Sequence, residues 1–573
     1  MDAIPFLSEH HILMFLLQLF ILLTVAKVLS GLFLRWGWPA LVGEILCGIV
    51  LGPTILGRLL PGVHAALFPP DVVQHSMLET ISWFGVLFLL LVTGFEIKLS
   101  SVWKQGRSSM IIGTVGVFVP IILGCLIFFW FPATTWGASA NRLIFTLFLS
   151  TAAAISAIPV IAKILHDLEI LKSDLGLTTL SAFVVNDILG WLIFTMVLGL
   201  AATTATSDVV HPLRTFFEIT LFGAVCLTVG SRGVGRLSRW IKQTPLPQTG
   251  AVLTLITCLG LLCGIITQWI GIHAILGFFL AGIMAGNTGE ISAQTRDIIS
   301  QIVHAIFVPI FFVSIGIRID FIQNFNIVIV LIFSFVAVFG KYIGAWLGGI
   351  LSRMPREDAV SIGIAHIPGG AMEIIIGILA YEMQLISEQV FVAIIFAAVV
   401  SSVAVGPFLA WSIKRRKWLD VGDFLLPGAV DTSLSGMTRW EIISELSDQI
   451  STQLKTIDSD RIRSAVFERE KAMGTSLEKG VAVPHARLEG IRQPVIAFGR
   501  TKLGVDWDSR DGMMTRFVFL VLTPICDEGV QVQILASIAR LMMQQNTAVK
   551  LMSENDPSKL AAFIARGLKV KRK

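Results

Sequence analysis

Charge is what this 573-residue chain has least of: 14% of its residues are Asp, Glu, Lys or Arg, against 54% hydrophobic. A soluble globular chain carries about a quarter of its residues charged, so water is excluded as the solvent for most of the molecule and lipid takes its place. Cysteine is sparse as well. The six (Cys47, Cys125, Cys226, Cys258, Cys263 and Cys526) form no CxxC pair and five lie in apolar stretches, which argues against a disulfide framework or a thiolate metal site. Residues 1–11 hold no Lys or Arg, so the basic opening of a removable signal peptide is missing. The net charge of +5 asks for no nucleic-acid partner, because its source is the loops between apolar stretches.

What is present is a near-unbroken series of apolar stretches up to about residue 417, each of the length that crosses a ~30 Å hydrocarbon core. They number thirteen: about 11–34, 39–57, 76–97, 109–131, 143–165, 177–200, 215–231, 250–269, 272–287, 299–317, 327–350, 359–382 and 389–413. Residues 1–417 therefore read as a transmembrane domain, 418–434 as a linker and 435–573 as a domain of ordinary soluble composition. One set of loops holds Lys27, Arg35, Lys98, Lys104, Arg107, Lys163, Lys172, Arg232, Arg236, Arg239, Lys242, Arg296, Arg353, Arg356 and the run 414–417. The other holds Arg58, Arg142, Arg214 and Arg318. Basic residues favour the cytoplasmic side, which places the N-terminus outside and the soluble domain in the cytoplasm of a cell (inner) membrane protein.

The second stretch contains ALVGEILCGIVLG (Ala40–Gly52) and the ninth AILGFFLAGIMAG (Ala274–Gly286), matching at Ala40/Ala274, Gly43/Gly277, Leu46/Leu280, Gly48/Gly282 and Gly52/Gly286. The third ends TGFEIKL and the tenth SIGIRID, again seven stretches apart. An odd offset makes matching helices cross in opposite directions, the inverted repeat of secondary transporters. Helix breakers obey the same offset. The fifth stretch carries Ser150–Pro159 (STAAAISAIP) and the twelfth Ala365–Glu373 (AHIPGGAME). Pro and Gly-Gly free backbone groups at mid-membrane, where they can hold an ion.

The sixth stretch (SAFVVNDILGWLIF) buries Asn186 and Asp187 near the bilayer midplane, and the eleventh buries Lys341. A carboxylate there costs ~2.5–3.5 kcal/mol on insertion scales, so it serves a pathway or pairs with a base; an Asp187–Lys341 pair that merely ties helices together is the alternative. An alkali cation wants oxygen ligands, which Asp187 as the metal-binding acid, with Asn186, Thr151 and Ser156, could supply. Proton and cation would compete for one site, and a single titrating carboxylate favours one proton per cation. Glu373, beside the broken twelfth stretch, reads as site support or helix cap; Glu44, among glycines in the second, reads as support or as a partner within the bundle; His366, His273 and His304 read as packing residues.

The glycine-rich second stretch, STAAAISAIPVIAKIL, VVND and FGKYIGAW, in that order over residues 10–415, resemble the monovalent cation/proton antiporter-2 family. The resemblance implies Na⁺ or K⁺ exchange for H⁺, Asp187 as the shared site, and a homodimer whose core domain moves elevator-fashion against a dimerisation domain. Asn186-Asp187 is the pattern of electroneutral members, whereas Lys341 is the basic residue that electrogenic ones use. The glycine fingerprint of glutathione-gated relatives is missing, and no cofactor or catalytic constellation is expected: a transporter, not an enzyme.

In the soluble part, helices are expected over Met437–Ile450, 529–545 and 556–568, with strands at Val481–Val483, Pro494–Gly499 and Arg516–Leu522, an α/β arrangement. His485 follows a strand, where its ring can be exposed. GTSLEKGVAVPHARLEG (Gly474–Gly490), VIAFGR and DWDSRDG resemble the fructose/mannitol-type enzyme IIA domains of the sugar phosphotransferase system over about 435–568. That implies His485 as a phosphoryl acceptor with a histidine phosphocarrier as partner, or a relic of one, because Gln531 occupies the place of the family's second histidine.

The expected fold is thus an all-α polytopic membrane domain of about 13 helices, with an inverted repeat and two broken crossing helices, followed by a cytosolic α/β domain. The expected activity is cation/proton antiport regulated by that domain. A membrane-tethered phosphocarrier or sensor, or a phosphotransferase sugar permease, are the alternatives; the permease lacks a cysteine phosphodomain.

Overall fold

The computed structural model describes residues 7–568 except 98, 169, 172, 204–209, 246–247, 272, 416–420, 455–456, 473, 478, 492, 510, 525–527 and 545. Of the residues named above, Lys98, Lys172, Arg416, Lys417 and Cys526 lie outside the described set. The chain divides into two compact units, Met1–Arg416 and Lys417–Lys573.

Lipid offers the backbone no hydrogen-bond partner, so each apolar stretch closes its own ladder as a helix. The helices are α1 (Glu9–Arg35), α2 (Ala40–Leu51), α3 (Val72–Glu96), α4 (Leu99–Phe128), α5 (Arg142–Ala154), α6 (Ile158–Asp167), α7 (Asp174–Thr203), α8 (Val210–Val225), α9 (Ser231–Lys242), α10 (Gln248–Trp269), α11 (Ala274–Asn287), α12 (Ala293–Ile302), α13 (Val308–Arg318), α14 (Ile327–Leu351), α15 (Arg356–Ala365), α16 (Gly370–Glu382) and α17 (Glu388–Arg415), with short helices Leu56–Leu59 and Pro61–Leu67 between α2 and α3. Among the described residues, ten spans are long and apolar enough to cross a bilayer, or eleven when α15 and α16, inclined at 46°, count as one. All thirteen expected stretches contain helix, but two are not among those spans. The ninth is α11, whose 14 residues rise about 21 Å; the run Ile275–Gly286 is buried throughout, so protein rather than lipid surrounds it. The seventh runs without a break through α8, a wider turn at Cys226–Gly230 and α9, and Arg232, Arg236 and Arg239 give its last part a polar face.

The two matched glycine stretches make the same contact twice. α2 crosses α13 so closely that a Cβ on Gly48 would stand 2.8 Å from the Cα of Gly316. α11 crosses α3 with a Cβ on Gly282 only 2.9 Å from the Cα of Gly94. No side chain fits either crossing, which is what glycine provides in tightly packed membrane helices. Each crossing ends in the same kind of cap. Thr54 Oγ1 donates to the carbonyl of Ile319 (3.2 Å), and Asn287 Nδ2 donates to that of Ile97 (2.9 Å). Ile97 and Ile319 each lie three residues beyond the crossing glycine. The second span of each half thus packs against the third span of the other, the reciprocal arrangement of an inverted repeat.

The soluble unit is a six-stranded mixed sheet with helices on both faces. Its strands are β1 (Leu425–Asp431), β2 (Ser476–Leu477), β3 (Val481–Ala482), β4 (His485–Leu488), β5 (Val495–Val505) and β6 (Thr515–Pro524), ordered β1-β5-β6-β3-β2 with β4 also on β6. The apolar run of β6 is covered twice. α18 (Arg439–Leu454) and α19 (Ser459–Ala472) pack Ile442, Leu446, Ile462 and Val466 on one face; α20 (Glu528–Met543), α21 (Thr547–Ser553) and α22 (Pro557–Leu568) pack Ile534, Ile538, Leu551 and Ile564 on the other.

The segment 418–434 is not a linker throughout, because 425–431 form β1, parallel to β5. Pro427 and Gly428, which read as loop, lie where the pairing register shifts between Leu425 and Val430, and an edge strand tolerates them there. Buried Arg500 on β5 then locks β1 to the C-terminal helices. Its guanidinium donates to the carbonyls of Thr432, Leu551, Met552 and Glu554 and to Asn555 Oδ1, all within 2.6–2.8 Å.

Candidate functional site

The fifth span stops at Ala154, resumes at Ile158, and leaves residues 155–157 outside any helix. Pro159 stands in the first turn of α6, where its missing N–H costs nothing. The twelfth span is interrupted between Ala365 and Gly370, across Pro368 and Gly369, with Gly370 at φ +55°. The two breaks meet. The Ala157 N–H donates to the Pro368 carbonyl (3.0 Å), and Ser156 Oγ donates to the His366 carbonyl (2.8 Å). Each broken helix supplies partners for groups that the other has freed, which is how non-helical backbone survives at this depth.

α7 passes beside the crossing. Phe183 stacks on His366 with ring centroids 4.3 Å apart. Gly190 lies so close to Ile155 that a Cβ there would come within 2.8 Å of its side chain. Between those contacts sit Asn186 and Asp187, both 0% exposed. Gly116 of α4 keeps a space open here, with Asn186 Nδ2 and His366 Cδ2 at 3.8 and 3.9 Å from where its Cβ would stand. Neither oxygen of Asp187 and neither polar atom of the Asn186 amide has a hydrogen-bond partner. A buried carboxylate without a protein partner is costly. The acid that acts on Asp187 is Glu96 at the end of α3. Nothing in TGFEIKL singled it out.

Lys341 is not the charge partner of Asp187. Its ammonium lies 3.2 Å from Glu373 Oε2 and 3.5 Å from the Ile155 carbonyl, with lysine and glutamate 1% and 0% exposed. The first turn of α16 folds Glu373 back over Gly369, where a Cβ would collide with its carboxylate; that fold-back, invisible in sequence, gives the lysine its partner. Thr151 Oγ1 donates to the Leu147 carbonyl one turn back (2.7 Å), and like Ser156 it keeps oxygen lone pairs for a further ligand. Glu44 is buried on α2 away from the crossing, and the charge acting on it is Lys27 of α1. Among the described residues no group of three or more His, Cys, Asp or Glu side chains could hold a metal ion.

In the soluble unit His485 opens β4, and its ring is buried at 9% exposure instead of standing free. Nδ1 pairs with the Val483 carbonyl at 2.9 Å, so the neutral ring donates from Nδ1 and keeps its lone pair on Nε2. Burial pushes the histidine below its usual range, and nearby Arg469 and Arg487 add to that. The ring borders an open hollow with Glu468, Arg469, Arg487, Gln531 and Leu535. Gln531 Oε1 accepts from Arg487 Nε (2.9 Å); the residue in place of a second histidine holds an arginine.

Crossed, interrupted helices built from two reciprocal halves, with an acid at the crossing, are the architecture of an ion-coupled secondary transporter. The chain belongs to the sodium/hydrogen exchanger family, whose transmembrane region residues 18–412 match, and it is a multi-pass membrane protein. Residues 423–567 match the phosphoenolpyruvate-dependent sugar phosphotransferase system EIIA 2 family. Cation/H(+) antiporter 17 of Arabidopsis thaliana is 26% identical over 423 residues, 73% of this chain and 50% of its own length. Na(+)/H(+) antiporter NhaS4 of Synechocystis sp. is 26% identical over 70% of this chain and 98% of its own. The sodium proton antiporter MjNhaP1 from Methanocaldococcus jannaschii shares the fold at a TM-score of 0.54 and 15% identity, covering 70% of this chain and 97% of that one. The chain spans about half the length of the Arabidopsis relatives it matches.

Proposed function

We propose that the membrane unit exchanges a monovalent cation, Na⁺ or K⁺, for H⁺ by alternating access, one proton per cation, at Asp187. The observation that carries this reading is the unpartnered carboxylate of Asp187 at the crossing of two broken helices. With a proton on it the acid is neutral; with a cation bound, the pair of charges is again neutral. The Asn186 amide oxygen and the hydroxyls of Thr151 and Ser156 add the oxygen ligands that an alkali cation takes. Alternate opening of the crossing to the two sides turns competition for one acid into exchange. The working unit is a homodimer in a cell (inner) membrane, with the N-terminus outside and the soluble unit in the cytoplasm. In proteoliposomes holding a pH gradient, Na⁺ or K⁺ should dissipate the gradient and a large organic cation should not. No dissipation by Na⁺, K⁺ or Li⁺ would sink the reading.

The soluble unit regulates the exchanger through its histidine hollow. His485 Nε2 accepts a phosphoryl group from the phosphohistidine of a carrier protein, whose own ring is released, and Arg469 and Arg487 balance the added charge. Incubating the full chain with a carrier protein already carrying labelled phosphate on its histidine should label the wild type and not His485→Ala. Removing residues 417–573 should change the exchange rate severalfold without abolishing it. Complete loss would make the soluble unit part of the transport machinery.

A further inference from the structure

At the membrane face where α17 begins, three charges from three helices meet. Arg318, the last residue of α13, holds Nη1 3.7 Å from Glu79 Oε1 on α3 and 3.8 Å from Glu382 Oε1, the last residue of α16. The three side chains are partly exposed, at 26%, 37% and 28%, so the cluster meets water. Beside it lies a small hollow walled by Trp83, Phe311, Ile315 and Ile378.

Arg318 joins helices that belong to two separately packed pairs. α3 and α13 are locked together: Ser82 Oγ and Ser314 Oγ lie 2.7 Å apart, and a Cβ on Gly85 would stand 2.9 Å from that of Phe311. α16 packs instead on α17, where Tyr381 stacks on Phe391 with ring centroids 5.4 Å apart and Gly377 admits the Ile394 side chain. The hollow follows the seam between the pairs, and Arg318 bridges it. From that bridge α16 leads back to the crossing, because Glu373 precedes Glu382 by about 14 Å of helix. Glu96, the acid that acts on Asp187, stands at the other end of α3, about 25 Å of helix from Glu79.

We propose that Arg318 is the clasp of a gate. By tying Glu382 of α16 to Glu79 of α3 it shuts the ion path to Asp187 on this face, and it releases when the site opens there. The gate rests on the exchanger reading above and places one of its two openings. Partly exposed ion pairs of this kind are weak, enough to bias two states of the seam and loose enough to break in each cycle. While the clasp holds, a guanidinium stands in the mouth and repels cations. Once it lets go, two acids line the opened seam and draw a cation in.

The test is a reversible tether in proteoliposomes of full-length protein. Arg318→Cys/Glu382→Cys is bridged with a bifunctional thiosulfonate, and the cross-link is verified by mass spectrometry. Exchange should fall about tenfold or more, because a gate that cannot open limits turnover, and it should return on reduction. Each single-cysteine variant, treated alike, should keep its untreated rate. Cross-linked protein that exchanges at the untethered rate overturns the gate. A second measurement decides if the double variant does not fold. In Arg318→Gln the cation concentration for half-maximal exchange should drop about fivefold on the clasp face and stay level or rise on the other. The swapped pair Arg318→Glu/Glu382→Arg should restore the wild-type values. A merely structural role would move both faces alike or neither, and then the gate falls while the exchanger reading stands. If wild type exchanges nothing, both fall.

Discussion

Asp187→Asn is expected to abolish cation-driven dissipation of a pH gradient while leaving the protein folded. At about 4 Å and an effective dielectric of about 20, a carboxylate–cation contact contributes roughly 4 kcal/mol, about a thousandfold in affinity. The amide also carries no exchangeable proton charge, so both halves of the cycle are lost together. The stability outcome separates this from simple damage. Asp187 has no hydrogen-bond partner and is 0% exposed, so replacing it by a neutral amide of the same shape removes a buried charge without breaking any contact. The thermal midpoint in detergent should stay level or rise. Exchange retained within about twofold of wild type would remove Asp187 from the site.

Gly370→Ala should be nearly as severe, for a mechanical reason. Gly370 lies at φ +55°, and a Cβ there would stand 2.5 Å from the Cβ of Ala157. The left-handed conformation costs an L-residue about 1–2 kcal/mol, and forcing a methyl into a filled contact adds roughly 1–3 kcal/mol. Relief requires the two broken helices to part, which stretches the Ala157–Pro368 hydrogen bond and shifts Ser156. A lower midpoint and loss of exchange are both expected. Gly62→Ala is the control, since nothing lies within 4 Å of its Cβ position and the alanine favours helix. If Gly370→Ala transports and unfolds like Gly62→Ala, the crossing is looser than its contacts indicate.

Several site elements were legible before any coordinates. Pro159 and Pro368-Gly369-Gly370 announced the interruptions, because a missing donor and a freed backbone cannot be hidden inside a helix. Asp187 announced itself because an acid amid VVND and ILGWLIF has no cheap place in lipid. The Gly48/Gly282 match and its seven-span offset pointed to two halves of opposite direction, and the reciprocal crossings with Gly316 and Gly94 follow that pattern. Glu96 was not legible, since an acid at a helix end looks like any loop charge. In the soluble unit, Pro427-Gly428 disguised an edge strand, and His485 was expected in the open when the Val483 carbonyl holds its ring down.

Composition and spacing alone therefore determined the solvent of each half of the chain, the places where helices break, and the acid at the centre. Those are local properties: hydrophobic length, a missing N–H, the cost of one charge. Who partners whom was decided only by the tertiary structure. Lys341 could have met Asp187 or Glu373, and the choice depended on how the first turn of α16 folds back over Gly369, across 32 residues of chain. Ion pairs act over a few ångströms of space that periodicity does not encode, so the free acid and the neutralised lysine emerged only once the broken helices were seen to cross.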